Sequence, residues 1–463
     1  MKLLRILTCT LVVSLAAARQ GWRPFAVPEL AAQSSQYVFV LHESARASEI
    51  AAAVRGAGGT VVSSMDEIGV VLASGLSNGA AARIAAGRAQ VATDIFAQWT
   101  PSIRPAIRTL PIAAAAPGTA SINKPELAVA YQLGLQWNMQ LTDTDDAWLQ
   151  QRTGIPSVRV AILDTGLDAY HIDQFGLIDV ASSRAFVPSL AGPPDWEDDH
   201  THGAYVGGIV TSNNFGVAGV APNVTLVAVK VLDATGSGTL GAIIAGIYYA
   251  ASTGVDVINM SIGAHIEKSG NTAVVLAAFN RAVNFAHARG VFVVAAAGND
   301  AIDLQHDRNG LQIPCETGVL SCVSATGSLD LPAAYTNYGT ESINNAAPGG
   351  DFTQGRGLPL GGVLSLCSSH SVIPELAPCK VDSTGFGEAY LFAEGTSAAA
   401  PHVAGLGAFL DSQFGGALNG SQILTAIQQN ADDLGKPGAD PFYGKGRMNT
   451  CRTLPGCVPV PNP

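Results

Sequence analysis

Three short stretches, far apart in the chain, each contain a side chain that is used in covalent acyl transfer. AILDTGLD contains Asp164, HTHGAYVGGI contains His202 and EGTSAAAPHVAG contains Ser397. A serine hydroxyl is a weak nucleophile until a neighbouring imidazole takes its proton, and a carboxylate can hold that imidazole in the productive tautomer. The three stretches therefore supply a nucleophile, a base and an acid for hydrolysis through an acyl-enzyme.

The order Asp, His, Ser separates this chain from other serine hydrolases. The α/β-hydrolases run Ser, acid, His, and the chymotrypsin-like enzymes run His, Asp, Ser. From about Gln136 to Asn449 the chain resembles the subtilisin-like serine endopeptidases, or subtilases. The resemblance implies an endopeptidase that cleaves polypeptides without a catalytic cofactor, is made with an inhibitory propeptide, and uses Asp164, His202 and Ser397 as its triad.

The resemblance also implies roles for residues around the triad. Asn299, in AAAGND, matches the side-chain amide that forms an oxyanion hole with the Ser397 backbone N–H. Asp173, in HID, matches one ligand of a calcium site that is common in subtilases, so structural Ca²⁺ is an expectation, although a hard cation needs several oxygen ligands.

Two glycine-containing edges match the segments that hold the substrate backbone in subtilases. Glycines permit the close backbone approach that pairing with an extended peptide requires. Leu240 would approach the S4 pocket, and Gly263 with 295–297 would shape a roomy, apolar S1 pocket. The predicted substrate-binding residues are Gly236, Ser237, Gly238, Leu240, Ser261, Ile262 and Gly263.

The stretch 236–241 is also a literal GxGxxG, with Asp256 about 20 residues after its first glycine, which alone would indicate a dinucleotide site. It lies in the middle of the domain and no nicotinamide chemistry accompanies it. We therefore interpret it as part of the substrate edge.

The segment around the base departs from the family pattern. Subtilases usually continue His-Gly-Thr-His-Val-Ala-Gly, whereas this chain has Ala204, Tyr205 and Gly207 at the third, fourth and sixth positions. We expect Tyr205 to alter the S2 side of the site while leaving His202 as the base, in preference to its neighbour His200.

Composition and charge exclude several partners. Charged residues make up 13% of the chain, well below the roughly 25% of an average protein, and the net charge is -11 without a basic cluster. Neither nucleic acid nor a membrane is therefore an expected partner. Polypeptide substrates and the chain's own propeptide are the expected partners of a monomer.

The amino terminus predicts export. Lys2 and Arg5 precede an apolar run that ends in small residues at 16–18, which is typical of a signal peptide cleaved after Ala18. Six cysteines remain after its removal, and an even number in an exported chain favours disulfides. Because the six fall as near neighbours, the predicted pairs are Cys315 with Cys322, Cys367 with Cys379, and Cys451 with Cys457.

Beyond the signal peptide, the hydrophobic pattern predicts two kinds of fold. Strands at 37–41 and 69–73, with helices at 45–57 and 78–86, predict a small α+β block that resembles a subtilase propeptide. After it, continuous apolar runs alternate with helices at 240–252 and 272–289, which predicts an α/β fold with a doubly wound, mainly parallel sheet and helices on both faces. The predicted organisation is signal peptide 1–18, propeptide 37–97, linker with the maturation site 98–135, catalytic domain 136–450 and tail 451–463.

Two other function classes compete with a secreted endopeptidase. A catalytically silent relative could act as a binding protein, but all four chemical positions are filled. A secreted esterase would need the GxSxG elbow, whose final glycine GTSAA lacks.

Overall fold

The computed structural model describes residues 36–100, 106–109, 124–192, 194–380 and 387–460, with the backbone alone for 106–109, 377 and 378. The predicted signal peptide and parts of the predicted linker lie outside the described residues. Among the described residues, no helix combines the length and apolar character that a membrane span needs.

The amino-terminal subdomain (residues 36–94) is a four-stranded antiparallel sheet with two helices. The sheet order is β2-β3-β1-β4, which is the β-α-β-β-α-β arrangement of ferredoxin-like folds. Its elements, and the two short strands that follow it, are β1 Tyr37–Leu41, α1 Ala47–Gly56, β2 Thr60–Met65, β3 Val70–Ser74, α2 Asn78–Ala85, β4 Ala89–Thr93, β5 Phe96–Gln98 and β6 Ala106–Thr109.

The main domain (residues 124–460) begins with three short helices and continues as alternating strands and helices. Its elements are α3 Val129–Gln132, α4 Trp137–Leu141, α5 Thr144–Leu149, β7 Arg159–Asp164, β8 Arg184–Ala185, α6 His202–Val210, β9 Thr225–Lys230, β10 Ser237–Thr239, α7 Leu240–Ser252, β11 Val257–Met260, β12 Ala264–Glu267, α8 Gly270–Ala288, β13 Phe292–Ala296, β14 Gly310–Ile313, β15 Ser321–Thr326, β16 Asn345–Pro348, β17 Val363–Leu366, β18 Ala389–Ala393, α9 Thr396–Gln413, α10 Gly420–Gln429 and α11 Thr450–Thr453.

Seven parallel strands form the central sheet, in the order β16-β15-β13-β11-β7-β9-β8. Alternate residues of each strand face opposite sides. Ile162 packs with α6 and α9 on one side, whereas Leu163 packs with α7 and α8 on the other. Both faces are thus covered, and the predicted doubly wound fold is confirmed.

The amino-terminal subdomain also uses both faces of its sheet. Phe39 packs with α1 and α2, while its neighbours Val38 and Val40 join the core that contains α7 and α8. The Arg281 guanidinium on α8 donates to the carbonyls of Leu41, Ile68 and Gly69 at 3.1–3.2 Å. One face of this sheet is therefore built into the core of the main domain.

Sequence periodicity missed two strands of this subdomain. In β2 the residues TVVSSM are exposed or half-buried up to Met65, and in β4 only two of five residues are buried. Such strands at a sheet edge carry a weak hydrophobic signal, because most of their side chains face solvent.

Three disulfides join Cys315 to Cys322, Cys367 to Cys379, and Cys451 to Cys457. These are the pairs predicted from the sequence. The third fastens the carboxyl-terminal tail near α5, where Gln150 Nε2 donates to the Val458 carbonyl at 2.8 Å. At the other end of the main domain, packing begins upstream of the predicted boundary, since the Ala130 N–H donates to the Gly216 carbonyl at 2.8 Å.

Candidate active site

The predicted chemical residues lie around the carboxyl edge of the central sheet. Asp164 is the last residue of β7, and Ser261 follows its neighbour β11, whose Asn259 pairs with Ile162. In the sheet, β7 is followed on one side by β9, and β11 is followed on the other side by β13, so the strand order reverses between β7 and β11. Doubly wound sheets place their sites at such a switch in strand order.

Asp164 and His202 form a buried pair. Asp164 Oδ1 lies 2.8 Å from His202 Nδ1 and also accepts the Thr165 backbone N–H at 2.7 Å. Asp164 is fully buried and His202 is 3% exposed. His202 Nε2 has no hydrogen-bond partner among the described residues. The carboxylate thus fixes one nitrogen of the ring and leaves the other for chemistry.

The start of α6 is held by Asp198, a residue that the sequence analysis did not single out. Asp198 Oδ1 accepts the backbone N–H groups of His200 and Thr201 at 3.0 and 2.9 Å, and Oδ2 accepts that of Ala204 at 2.8 Å. Thr201 has φ 122°, an uncommon conformation for a β-branched residue. These contacts hold the chain in that conformation immediately before His202. An acidic residue four positions before the histidine is the only signal in the sequence.

His200, the rival base, lies in a different environment. Burial, together with the nearby His202 and Lys230, lowers the pKa of its imidazole to about 3. Lys230 is fully buried and pairs with Asp199 at 2.6 Å. His200 is therefore a neutral packing residue.

Residues that depart from the family pattern pack into the core. Tyr205 is 3% exposed and its hydroxyl donates to the Val363 carbonyl of β17 at 2.9 Å. The expectation that Tyr205 alters the S2 side is therefore wrong.

At Gly203, a Cβ atom would lie 2.0 Å from the Gly166 carbonyl oxygen, which explains why glycine must follow His202.

Ser397 is the second residue of α9, directly after the turn at Gly395, whose φ is 154°. Ser397 Oγ donates to the Ser261 carbonyl at 2.9 Å, and Ser397 is 7% exposed. Because Ser261 lies level with Asp164 on neighbouring strands, this contact places Ser397 at the same edge of the sheet.

His402 stabilises the first turns of α9 from within the helix. Its Nδ1 lies 2.8 Å from the Ala398 carbonyl and its Nε2 lies 2.8 Å from Asn138 Nδ2. A carbonyl can only accept and an amide nitrogen only donates, so the neutral ring with its proton on Nδ1 satisfies both contacts. Burial lowers the pKa of His402 to about 4, and the Ala398 carbonyl opposes this shift.

Asn299 follows β13 and lines the same cleft as Ser397. Its Oδ1 accepts the Thr396 backbone N–H at 2.8 Å and the Thr396 hydroxyl at 2.9 Å. The side-chain carbonyl is thus occupied, which leaves the Nδ2 amide as the donor that Asn299 offers to the cleft. An amide in this orientation can stabilise negative charge beside Ser397.

The two predicted substrate edges enclose a segment of this same chain. β5 pairs antiparallel with β10, so that Gly238 lies opposite Ala97. On the other side, the Gly263 N–H donates to the Trp99 carbonyl at 2.9 Å, while the Trp99 N–H donates to the Gly236 carbonyl at 2.9 Å. Residues 96–100 therefore lie in the cleft as an added strand.

Trp99 anchors this strand. It is 1% exposed, its Nε1 donates to the Gly238 carbonyl at 2.9 Å, and its ring belongs to the core that contains Leu240 and Ile262. These two residues are thus buried beneath the strand. Trp99 is not among the residues predicted from the sequence, where its only signal is a large aromatic residue beside a Pro-rich stretch.

A cavity of about 420 Å³ lies beside Ser397. Small residues form part of its wall, as expected for S1, including Gly263 and Ala296. Gln312 and His265 also line it, so the wall is more polar than the sequence indicated. Ala295 and Ala297 are fully buried and lie outside the lining.

The GxGxxG stretch is occupied by the amino-terminal subdomain. Asp94 Oδ1 accepts the Gly241 N–H at 2.9 Å, at the first turn of α7. Burial raises the pKa of Asp94, while the Gly241 N–H lowers it. A carboxylate thus occupies the helix terminus that a phosphate would need.

Asp173 does not fit the predicted calcium site. Its carboxylate accepts backbone N–H groups from Phe215, Gly216 and Val217 at 2.7, 2.9 and 3.1 Å, and the Tyr390 hydroxyl at 2.8 Å. Calcium is bound by a shell of oxygen ligands, whereas these neighbours direct hydrogens at the carboxylate. The predicted role of Asp173 as a metal ligand therefore does not hold.

Known proteins share this fold and these segments. The model of the subtilase family, peptidase family S8, matches residues 156–446. Subtilisin DY of Bacillus licheniformis is 36% identical over 63% of this chain and 89% of its own length. Thermitase of Thermoactinomyces vulgaris is 31% identical over 69% of this chain and 95% of its own length.

A solved structure extends the similarity to the amino-terminal subdomain. The S393A mutant of the epidermin leader peptide processing serine protease from Staphylococcus aureus has a TM-score of 0.70 and 20% identity, over 92% of this chain and 100% of that chain. The fold and the matched segments define a serine-type endopeptidase of the parallel α/β class. The chain belongs to the subtilase family.

The neutral His402 predicts a pH effect. Its folded pKa of about 4 lies below the roughly 6.5 of an unfolded histidine, so its contribution is present above pH 6.5 and is lost as the pH falls towards 4. In a Ser397→Ala background, we expect the free energy of unfolding to fall more steeply over this range than in His402→Gln, by up to about 1.4 kcal/mol per pH unit. Urea titrations measure the slopes. The control His306→Gln, at an exposed histidine, should keep the parent slope, and equal slopes for parent and His402→Gln would contradict the assignment.

Proposed function

We propose that this chain is a secreted, self-processing serine endopeptidase with Ser397 as nucleophile, His202 as base and Asp164 as the residue that orients the base. The buried contact of 2.8 Å between Asp164 Oδ1 and His202 Nδ1 carries the proposal, because it leaves Nε2 free to take a proton. Six cysteines in three disulfides support export to an oxidising compartment.

The reaction begins when Ser397 Oγ leaves the Ser261 carbonyl and turns towards His202 Nε2. His202 takes the hydroxyl proton as Oγ attacks the scissile carbonyl carbon, and the oxyanion accepts hydrogen bonds from Asn299 Nδ2 and the Ser397 N–H. His202 then gives the proton to the leaving amine as the C–N bond breaks. Water, deprotonated by His202, attacks the carbonyl carbon of the acyl-enzyme. His202 then returns the proton to Ser397 Oγ as the bond between Oγ and the acyl carbon breaks, which releases the carboxylic acid.

The amino-terminal subdomain, together with the strand 96–100 that follows it, acts as an intramolecular inhibitor in this proposal. Residues 96–100 pair with both substrate edges, and Trp99 fills the apolar space over Leu240 and Ile262. A substrate backbone cannot pair with these edges until the strand leaves. The packing of the subdomain sheet against α7 and α8, with the hydrogen bonds from Arg281, would keep the strand in place after cleavage.

The same contacts predict where the chain cuts itself. Residues up to Thr100 lie on the non-primed side of the cleft, and β6 at 106–109 pairs with β18, the strand that leads into Ser397. The bond that meets Ser397 should therefore lie between Thr100 and Ala106.

A catalytically silent relative that acts as a binding protein is the alternative. No contact among the described residues of the site favours it, and the comparison of the Ser397→Ala variant with the parent chain separates the two functions. Polypeptide hydrolysis by the purified, matured chain is expected only of the enzyme.

Ser397→Ala should abolish both fluorophosphonate labelling and casein hydrolysis. Asn299→Ala should keep labelling but lower kcat about 10²- to 10³-fold with a small change in KM, a magnitude carried over from the equivalent amide of a subtilisin. Labelling is read by intact mass. Ser421→Ala is the matched control, because it removes the serine of an exposed Ser–His pair, 2.9 Å apart, elsewhere in the chain. Labelling that survives Ser397→Ala would overturn the proposal.

Trp99→Ala should shorten the latent period between cleavage and activity. Truncating a buried tryptophan costs about 3–5 kcal/mol, which weakens the complex with the cleaved subdomain at least about 100-fold. Phe96→Ala is the control, since Phe96 lies in the same strand but is 55% exposed. Activity time courses of the full-length chains give the latent period. Equal latency in both variants would show that Trp99 does not anchor the inhibitor.

A further inference from the structure

Three side chains with metal-binding chemistry lie close together on segments that adjoin β7, α6 and the loop after β17, and they take no part in the proposed reaction. Asp168 follows β7, Glu197 precedes α6, and His370 lies in the loop closed by the disulfide between Cys367 and Cys379. His370 Nδ1 lies 3.6 Å from Asp168 Oδ1 and 3.7 Å from Glu197 Oε1. One ligand atom from each residue lies within 4.8 Å of the others.

The burial of the two carboxyl groups makes this cluster unusual. Asp168 is fully buried and Glu197 is 1% exposed. Glu197 Oε2 has no hydrogen-bond partner among the described residues. A buried carboxylate is costly unless it is paired or coordinates a metal ion.

Surrounding contacts hold the potential ligands in position. Asp168 Oδ2 accepts the backbone N–H and the hydroxyl of Ser369, both at 2.7 Å, and Glu197 Oε1 accepts the Ala169 N–H at 3.0 Å. The His370 ring packs against Tyr170 with 5.0 Å between centroids. Hydrogen bonds of this kind orient the ligands of metal sites.

We propose that Asp168, Glu197 and His370 bind one divalent transition-metal ion of the Zn²⁺ type. An imidazole with two carboxylates is a donor set for such ions, whereas calcium takes oxygen ligands alone. Tetrahedral coordination at about 2.0–2.1 Å separates ligand atoms by about 3.3 Å. The two distances from His370 Nδ1, 3.6 and 3.7 Å, are close to this spacing. The two carboxylate oxygens lie within 4.8 Å of each other and would move closer together around the ion. His370 is 27% exposed, which gives the ion a route in and water the fourth position.

Such an ion would join the disulfide-closed loop to the segment that carries the base. That loop already contacts this segment, since the Ser368 N–H donates to Thr201 Oγ1 at 2.7 Å and the Ser371 hydroxyl donates to the His200 carbonyl at 2.8 Å. The ion therefore stabilises the loop and the start of α6. The binding itself does not depend on the proposed function.

Calorimetric titration of the tag-free, chelator-treated full chain with Zn²⁺ tests the site, in a Ser397→Ala background that prevents self-digestion. We expect one equivalent to bind and His370→Gln to weaken binding at least about 100-fold, because even residues outside the ligand set change metal affinity 10- to 100-fold. His306→Gln is the matched control. It removes an exposed histidine that pairs with a single carboxylate, Asp303, at 2.8 Å, and it should keep the parent affinity.

Thermal unfolding provides a second measurement. Zn²⁺ should raise the midpoint of the parent and of His306→Gln, and should leave that of His370→Gln unchanged. No saturable binding to the parent, or equal affinity in His370→Gln and the parent, would overturn the proposal. Binding lost equally in both histidine variants would also overturn it, because the ion would then not be specific to this cluster.

Discussion

The site depends on one constraint, which is that a carboxylate, an imidazole and a hydroxyl must meet where water is excluded. The parallel sheet solves this by ending β7 and β11 side by side, so that Asp164 and the Ser261 carbonyl lie at one level. The Asp164 carboxylate holds the imidazole of His202, and the Ser261 carbonyl accepts a hydrogen bond from the Ser397 hydroxyl. The remaining architecture, including the tight contact at Gly203 and the contacts of Asp198, holds α6 and α9 against this edge.

The same edge explains why the amino-terminal subdomain can cover the site. Both sides of the cleft present backbone groups that pair with an extended chain, and β5 satisfies them. Asp94 covers the start of α7, and Arg281 ties the subdomain sheet to α8. The cleft therefore binds peptide through the main chain, while Trp99 supplies the apolar contact.

Much of this architecture could be predicted from the sequence, because buried parallel strands are continuous apolar runs. The strand β7 and the helix α7 were found in this way, the latter with the same bounds, 240–252. The three-residue strand β5 could not be found, since it exists only through pairing with a partner 139 to 143 positions away in the chain, with Gly238 and Ala97 as the middle pair. The cluster of Asp168, Glu197 and His370 is equally non-local.

Motif matching gives candidate chemical residues but not their surroundings. Asp173 stands at a family ligand position, yet backbone N–H groups and Tyr390 satisfy its carboxylate. Tyr205 departs from the pattern, yet its side chain is buried and its hydroxyl donates to a carbonyl of β17. Such outcomes depend on loop lengths and on neighbours distant in sequence, which a local pattern does not contain.

The most direct test of the central claim is the intact mass of the amino-terminal fragment first released during maturation. Its carboxyl terminus should fall between Thr100 and Pro105, because residues 96–100 and β6 leave the cut bond between them. Release of this fragment should require Ser397. A first cut downstream of Ala106, or the same fragment formed at the same rate by Ser397→Ala, would contradict a strand held in the cleft of its own active site.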